Sequence, residues 1–137
     1  MKITKIFIVI MLSIILYACN NSSSKTADDY CEDGIQKMYN TDYQLALADF
    51  NKAIDIDPNF AKAYYHRGCL NFNMKKNTES MRDYTTAIKL DSNYTDAYYN
   101  RGLMYFYQGQ RYYACKDWLK AFSLGKANMS DRLKWCK

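Results

Sequence analysis

The sequence predicts an all-α protein built from three tandem helix-turn-helix units and a C-terminal capping helix. The segments AYYHRG at 63–68 and AYYNRG at 97–102 are nearly identical, and the same step taken back from Gly68 reaches Gly34. The segments LADFNKAIDIDPN at 47–59, MRDYTTAIKLDSN at 81–93 and CKDWLKAFSLGKA at 115–127 align at the same spacing. A fixed period of this kind indicates a repeat architecture.

The first residues are predicted to be a targeting segment that is not part of the fold. Lys2 and Lys5 precede an apolar run over 6–18, which is too short to span a bilayer comfortably and is typical of a secretory signal peptide. The run ends in Leu-Tyr-Ala-Cys, which resembles the lipobox of bacterial lipoproteins. That resemblance implies a signal peptide over 1–18 and lipidation of Cys19, with palmitate among the attached acyl chains. An ordinary secretory peptide or a short membrane anchor is the alternative. The polar residues that follow predict a flexible tether over 19–26.

Each repeated unit is predicted to form two amphipathic helices. In the unit 61–94, large apolar residues recur at helical spacing over 62–74 and over 79–90, with Lys75, Lys76 and Asn77 between them. Asp-Ser-Asn at 91–93 ends the second helix, as Asp-Pro-Asn at 57–59 does in the preceding unit. The units are therefore 27–60, 61–94 and 95–128. Residues 129–137 are predicted to form the capping helix, with Ser130 as its N-cap.

Small residues repeat inside these helices and predict a close approach between them. Gly68 and Gly102 lie within helices, where glycine costs about 1 kcal/mol relative to alanine. We expect the facing small surface to come from Ala46, Ser80 and Ala114. We expect Tyr84 and Trp118 to fill the space where the two helices of a unit diverge.

This pattern resembles the tetratricopeptide repeat over 27–128. The matching positions are Tyr30, Gly34, Tyr43, Ala46, Phe50, Ala53 and Pro58 in the first unit, Tyr64, Gly68, Tyr84 and Ala87 in the second, and Tyr98, Gly102, Tyr105, Gly109, Ala114, Trp118 and Ala121 in the third. Ser80 and Ser92 depart from the pattern, and Lys126 stands where proline is usual. The resemblance implies that the three units stack as a short right-handed solenoid.

Arg67 and Arg101 occupy a position that leucine usually holds in this family. One interpretation is a basic contact to a ligand. We favour a structural role, because Asp49, Asp83 and Asp117 repeat at one phase of the second helices. The corresponding residue of the first unit is Asp33, which could not pair with Asp49. We therefore expect each arginine to pair with the aspartate of the preceding unit, Asp49 with Arg67 and Asp83 with Arg101.

The sequence predicts no catalytic, metal or cofactor site. His66 is the only histidine, and Cys69 lies one helical turn away, but two ligands are too few for a closed metal site. No motif supplies the orienting group and oxyanion hole of a Cys–His hydrolase, and the glycines follow the repeat and form no phosphate loop. We therefore predict that the protein is not an enzyme.

The family resemblance implies that the first helices of successive units line a concave groove. The inward positions would be Cys31, Ile35, Met38, Lys62, Tyr65, His66, Cys69, Phe72, Asn73, Asp96, Tyr99, Asn100, Leu103, Phe106 and Tyr107. We predict that Tyr65, Tyr99 and Phe106 contact a partner; the alternative is that some of them only pack between helices.

Chaperone-binding members of the family clamp a peptide's terminal carboxylate with Lys, Asn and Arg on this groove. The corresponding places hold Cys31, Ile35, His66, Asp96 and Asn100, so that clamp is not predicted.

Export would expose Cys31, Cys69, Cys115 and Cys136 to an oxidising compartment, where three full pairings are open. Cys115 begins a predicted second helix, the chain reverses near Leu124 and Gly125, and the tail then returns towards that start. The two arms that run from Gly125 to Cys115 and from Gly125 to Cys136 are nearly equal in length. We therefore predict a Cys115–Cys136 disulfide. A second disulfide between Cys31 and Cys69 is less strongly indicated.

The function predicted from these features is that of a scaffold for protein interactions. It would be a lipid-anchored protein of the bacterial cell envelope that binds another envelope protein or a peptide, as a monomer or with weak self-association; which membrane and face it occupies stays open. Without residues 1–18 the chain has 17 basic and 14 acidic side chains, a net charge of +3 that does not indicate nucleic-acid binding. The alternative is a small ligand-binding or redox-active lipoprotein that uses Cys31, Cys69 and His66.

Overall fold

The structure is a computed structural model that describes residues 24–136. Its helices are α1 (Ala27–Tyr39), α2 (Tyr43–Ile56), α3 (Ala61–Asn73), α4 (Asn77–Leu90), α5 (Thr95–Tyr107), α6 (Arg111–Ser123) and α7 (Ser130–Lys134). Each of the first three pairs packs as a hairpin and each hairpin packs on the next, so the predicted stack of helix-turn-helix units with a short C-terminal helix is confirmed. None of the helices in this part of the chain is long and apolar enough to cross a bilayer. The predicted signal peptide over 1–18, Cys19 and the start of the tether lie outside the described residues.

The hairpin turns repeat in backbone geometry more faithfully than in sequence. Thr41, Lys75 and Gly109 are equivalent positions of the repeat, each between the two helices of its pair. All three adopt a left-handed conformation, with φ of 65°, 62° and 73°. Only the third is glycine, which adopts this conformation without steric cost. Between units, the side chains of Asp57 and Asp91 each accept a hydrogen bond from the backbone N–H two residues on, at 2.9 Å.

The repeated glycines lie under the aromatic rings of their own units. A Cβ atom added at Gly34, Gly68 or Gly102 would lie 2.7, 2.9 or 2.6 Å from the ring of Phe50, Tyr84 or Trp118, respectively. The close approach that the glycines predict is therefore present. The rings of Tyr84 and Trp118 pack on the first-helix backbone at these glycines. That they fill a space where the helices diverge stays a prediction.

The facing small residues are buried as expected. Ala46, Ser80 and Ala114 have no exposed surface. Ser80 keeps its hydroxyl satisfied by donating a hydrogen bond to the Gly68 carbonyl at 2.8 Å. A serine is therefore accommodated where the family usually has alanine, because the first helix supplies an acceptor at that point.

The arginines pair with aspartates of their own units, so the expected pairing with the preceding unit was wrong. Arg67 donates to Asp83 from Nε at 3.0 Å and from Nη2 at 2.7 Å. Arg101 donates to Asp117 at 2.7 and 2.9 Å in the same way. The two helices of a hairpin are antiparallel, which places these pairs side by side. Each guanidinium also reaches the preceding unit through Nη1, which for Arg67 meets Asn51 at 2.8 Å.

The first unit pairs its aspartate with a different residue. Asp49 pairs with Lys37, which lies one helical turn beyond the arginine position, and Asp33 pairs with Lys25. Asp33 and Asp49 are therefore each neutralised by a lysine of their own. Every repeated aspartate on a second helix has a partner on the first helix of the same unit.

The tail occupies the place where the first helix of a fourth unit would begin. Met129 corresponds to Ala61 and Thr95, the first residues of α3 and α5, and it is 2% exposed. A disulfide joins Cys115 and Cys136, with 5.4 Å between their Cα atoms and a separation of 21 residues. Moved back by one or two periods of the repeat, positions 115 and 136 become Met81 with Gly102 and Leu47 with Gly68. Each of these pairs joins a second helix to the first helix of the next unit. The bond therefore holds α7 against α6 in the register of the repeat.

Candidate functional site

A cavity of about 190 Å³ opens on the first helices, between α3 and α5. Its lining consists of Cys69, Phe72, Asn73, Tyr84, Asn100, Leu103 and Met104. We call this cavity the central pocket. Five residues of the predicted groove, Cys69, Phe72, Asn73, Asn100 and Leu103, meet there. A second cavity of about 100 Å³ adjoins it and shares Phe72, with Tyr107 on its wall.

A hydrogen-bond network fixes the floor of the central pocket. Asn100 donates from Nδ2 to the Tyr65 hydroxyl at 3.2 Å and to the Cys69 sulfur at 3.7 Å. The Tyr84 hydroxyl donates to the same sulfur at 3.5 Å. Burial raises the pKa of both Tyr65 and Tyr84, which keeps the two hydroxyls neutral. The side-chain oxygen of Asn100 is left to accept a hydrogen bond from a ligand.

The cations near the groove are already paired with carboxylates. The Lys62 ammonium meets Asp28 at 3.0 Å and Glu32 at 2.5 Å, and its pKa is raised first by the hydrogen bond to Glu32. At the other end Lys126 meets Asp96 at 2.5 Å and lies over the Tyr99 ring. An anionic ligand would have to displace these partners. The groove therefore presents mainly apolar and amide groups.

Two residues predicted to contact a partner, Tyr65 and Phe106, are partly buried against other rings of the chain. Tyr65 lies between the rings of His66 and Tyr94, at centroid distances of 5.0 and 4.9 Å. Phe106 packs on Trp118 at 5.5 Å and on Trp135 of the tail at 5.8 Å. These contacts are the alternative that the sequence left open.

The remaining groove positions divide in the same way. Cys31 is fully buried, and Ile35 and Met38 pack on the core cluster that includes Cys31, Ala46 and Phe50. Tyr107 is 69% exposed, Phe72 is 38% exposed, and Asn73 is exposed. The accessible surface is therefore the central pocket and its rim at Phe72, Asn73 and Tyr107. That Tyr99 contacts a partner stays a prediction.

The two remaining cysteines are free thiols in environments that disfavour the thiolate. Burial raises the pKa of Cys31 to about 12 and also raises that of Cys69. The thiolate is the reactive form of cysteine, so both groups are poor nucleophiles at neutral pH. The weaker Cys31–Cys69 pairing expected from the sequence was wrong. Within residues 24–136 there is also no cluster of three side chains that could hold a metal ion.

The burial of His66 leads us to expect that the stability of the fold depends on pH. Burial lowers its pKa from 6.5 to about 4; Lys62 adds to this effect, whereas Glu32 and Asp96 oppose it. The unfolded chain binds this proton near pH 6.5 and the folded chain only near pH 4. The free energy of unfolding should therefore fall by roughly 2 kcal/mol as the pH drops through that window. Urea unfolding at a series of pH values measures the fall.

His66→Asn is the matched variant, since asparagine stands at the corresponding position 100. The change in stability between pH 6.5 and about 4 should be smaller for the variant, while carboxylate titration affects both proteins alike. Parallel pH profiles for the two proteins would show that His66 contributes nothing.

Sequence reasoning missed Tyr84 and Met104 in the pocket lining. Tyr84 belongs to a second helix, but its ring crosses to Gly68 and so reaches the groove side. The glycine was the available signal, because it marks where a second-helix ring passes the first helix. Met104 is buried within α5, and its sulfur accepts a hydrogen bond from Ser80 at 3.3 Å.

Comparisons with known proteins agree with this architecture. A family model for the TPR repeat matches residues 40–75 and 72–109, which together cover half of the chain. Among solved structures, the first TPR of Spaghetti (RPAP3) bound to the HSP90 peptide SRMEEVD is 25% identical, with a TM-score of 0.74, and the match covers 82% of this chain and 90% of that one.

Two further solved structures share the fold. The crystal structure of MamA is 25% identical with a TM-score of 0.69; the match covers 80% of this chain but only 61% of MamA. YrrB, described as a TPR protein with an unusual peptide-binding site, is 22% identical with a TM-score of 0.67, over 78% of this chain and 55% of that one. No curated protein matched the sequence. The family match over half the chain and the stacked helical pairs show that the chain belongs to the tetratricopeptide repeat family.

Proposed function

We propose that this protein is an interaction scaffold that binds a protein or peptide through the central pocket. The observation that carries the proposal is an open cavity on the first helices, walled by the exposed Phe72 and by the amides of Asn73 and Asn100. A likeness in fold to a TPR bound to a peptide supports binding of a protein or peptide.

The chemistry of the pocket favours an uncharged segment of the partner. Phe72 and Leu103 offer apolar contact for one side chain, and the two asparagine amides can hydrogen-bond to a peptide backbone. Lys62 and Lys126 are held by carboxylates, so they are not available to clamp a terminal carboxylate. We therefore expect this chain to bind an acidic peptide such as SRMEEVD poorly.

Replacing both Phe72 and Tyr107 by alanine should weaken partner binding at least tenfold, because buried aromatic anchors carry much of the energy of such interfaces. Neither side chain belongs to the buried core, so the helical content should be unchanged. The partner is first identified in envelope extracts with a photo-crosslinking residue at position 72, and its affinity for both proteins is then measured by calorimetry.

A matched crosslinker at Leu45 controls for nonspecific capture. Leu45 is 57% exposed on α2, a second helix away from the groove. Adducts formed equally from positions 45 and 72, or an unchanged affinity of the double variant, would contradict binding at the central pocket.

We further propose that the chain is held at a membrane of the bacterial envelope by lipid on Cys19, on the basis of the Leu-Tyr-Ala-Cys junction. A protein that carries two acyl groups binds a membrane stably, whereas a protein that carries one binds only marginally. Mass spectrometry of the membrane fraction should find an acylated N-terminal cysteine, and Cys19→Ala should leave the chain unprocessed. An unmodified, soluble mature wild type would overturn this proposal.

The raised pKa values of the Cys31 and Cys69 thiols give no support to the alternative of a redox-active lipoprotein.

A further inference from the structure

The outer face of α6 is apolar along its centre and cationic at its edges. Tyr112, Leu119 and Phe122 are 74%, 52% and 55% exposed, and their spacing places them on one side of the helix. Lys116 and Lys120 are exposed beside them. The one acidic residue of α6, Asp117, is buried in its pair with Arg101. The helix thus exposes apolar and basic groups and no carboxylate.

The tail lies at the edge of this surface, with the Trp135 ring packed on Phe106 at a centroid distance of 5.8 Å. Trp135 is 59% exposed, and its carbonyl accepts a hydrogen bond from Arg111 at 2.6 Å. A shallow cavity of about 580 Å³ lies between α6 and the tail, lined by Arg111, Tyr112, Cys115, Lys116, Leu119 and Cys136. We call the surface formed by Tyr112, Lys116, Leu119, Lys120 and Phe122 the aromatic-basic face, and Trp135 lies at its edge through the bond of its carbonyl to Arg111.

A further helix stacked in the manner of the repeat does not explain this face. In the preceding pairs, α3 covers the corresponding side of α2 and α5 covers that of α4. On α6 that place is taken by α7, which begins in the register of a first helix and is bonded to Cys115 through Cys136. A helix from a second copy would collide with α7 if it continued the stack.

From this surface we propose that the aromatic-basic face docks on an anionic lipid bilayer. Tyrosine and tryptophan side chains suit the interface of a bilayer, where one end of the ring is apolar and the other wet. Lysines beside an apolar helical stripe can lay their stems along it and reach the phosphates. Each cation near an anionic membrane adds to its attraction.

The distribution of charge along the chain favours the same orientation. The first unit, 27–60, has eight acidic and two basic side chains, whereas residues 61–136 have six acidic and thirteen basic ones. An anionic bilayer would attract the end that carries α6 and repel the first unit. A symmetric contact between two copies of the face would instead bring lysines against lysines, which is unfavourable.

Fluorescence quenching in vesicles tests the proposal. The full chain is reconstituted into vesicles of phosphatidylcholine, with or without phosphatidylglycerol, whose acyl chains carry bromine as a short-range quencher. Emission from Trp135 should be quenched in the anionic vesicles and not in the neutral ones. Trp118 is 1% exposed and supplies a constant background, which the Trp135→Phe variant measures.

Two pairs of substitutions separate docking from general charge. Lys116→Gln with Lys120→Gln should lower the equilibrium constant of docking roughly thirtyfold and abolish the quenching. Lys75→Gln with Lys76→Gln removes the same charge from the exposed turn between α3 and α4 and should leave the quenching unchanged.

Several outcomes would overturn the proposal. These are equal quenching in both kinds of vesicle, no quenching in either, or equal loss with both pairs of substitutions. Sedimentation equilibrium in detergent supplies the last one: a dimer that Tyr112→Ala with Leu119→Ala dissociates would assign the face to a second copy of the chain.

Discussion

Replacing Arg101 with methionine is expected to lower the free energy of unfolding by about 3–5 kcal/mol, because it leaves the Asp117 carboxylate buried without a cation. Asp117 is 4% exposed and accepts two hydrogen bonds, both from this guanidinium. Urea denaturation followed by circular dichroism measures the change. Arg101→Lys should recover only part of it, because an ammonium cannot reproduce the paired, planar contact.

The equivalent change in the second unit provides the comparison. Asp83 accepts hydrogen bonds from Arg67 and a further one from Asn71 Nδ2 at 2.9 Å. Arg67→Met should therefore cost less than Arg101→Met. Combining Arg101→Met with Asp117→Leu should restore most of the stability, since an apolar pair can replace a buried ion pair. A double variant as unstable as the single one would show that the loss comes from packing and not from the stranded charge.

Breaking the Cys115–Cys136 disulfide is expected to cost about 3 kcal/mol in the chain-entropy model, since the bond closes a loop of about 20 residues. The helix it holds, α7, has only five residues and would fray without it. Its loss would also uncover Trp118 and Phe106, which pack against the tail. The midpoint of urea unfolding should fall on reduction, and peptide mapping without reduction should find residues 115 and 136 linked.

The variant Cys115→Ser with Cys136→Ser serves as the control for reduction. It should unfold at the midpoint of the reduced wild type, and a reducing agent should not change it further, because Cys31 and Cys69 are already free thiols. Free thiols at 115 and 136 in protein purified from the envelope, or an unchanged midpoint on reduction, would contradict the prediction.

The repeat could be predicted because its determinants are local. A constant period fixes which side chains face the partner helix, and each unit contacts only the units next to it, so the fold follows from periodicity without any pairing between distant units. The glycines likewise identified a close approach. They did not identify the ring responsible, since the direction in which Tyr84 or Trp118 leaves its helix depends on rotamers that spacing does not specify.

The arginine pairing shows where such reasoning fails. Asp33 opposite Asp49 argued against pairing within a unit, but Lys37 lies one helical turn away and supplies the cation instead. Alignment compares single positions, whereas a long side chain reaches an acceptor from either of two neighbouring turns. The groove residues stay a prediction for a related reason: Tyr94 and Trp135 from following segments pack on Tyr65 and Phe106, and alignment of single positions does not foresee such contacts.

The satisfaction of each aspartate inside its own hairpin has a consequence for how such a chain can change in length. Deleting or duplicating one whole block of the repeat would carry both members of an Arg–Asp pair together, so no buried carboxylate would be orphaned at the new junction. The paired arginines cross between blocks only through hydrogen bonds to the neutral acceptors Asn51 and Thr85. The ion pairs of Lys62 with Asp28 and Glu32 also cross, but they lie at the exposed surface. Gene rearrangements that add or remove whole blocks should therefore leave the Arg–Asp pairs of this protein intact.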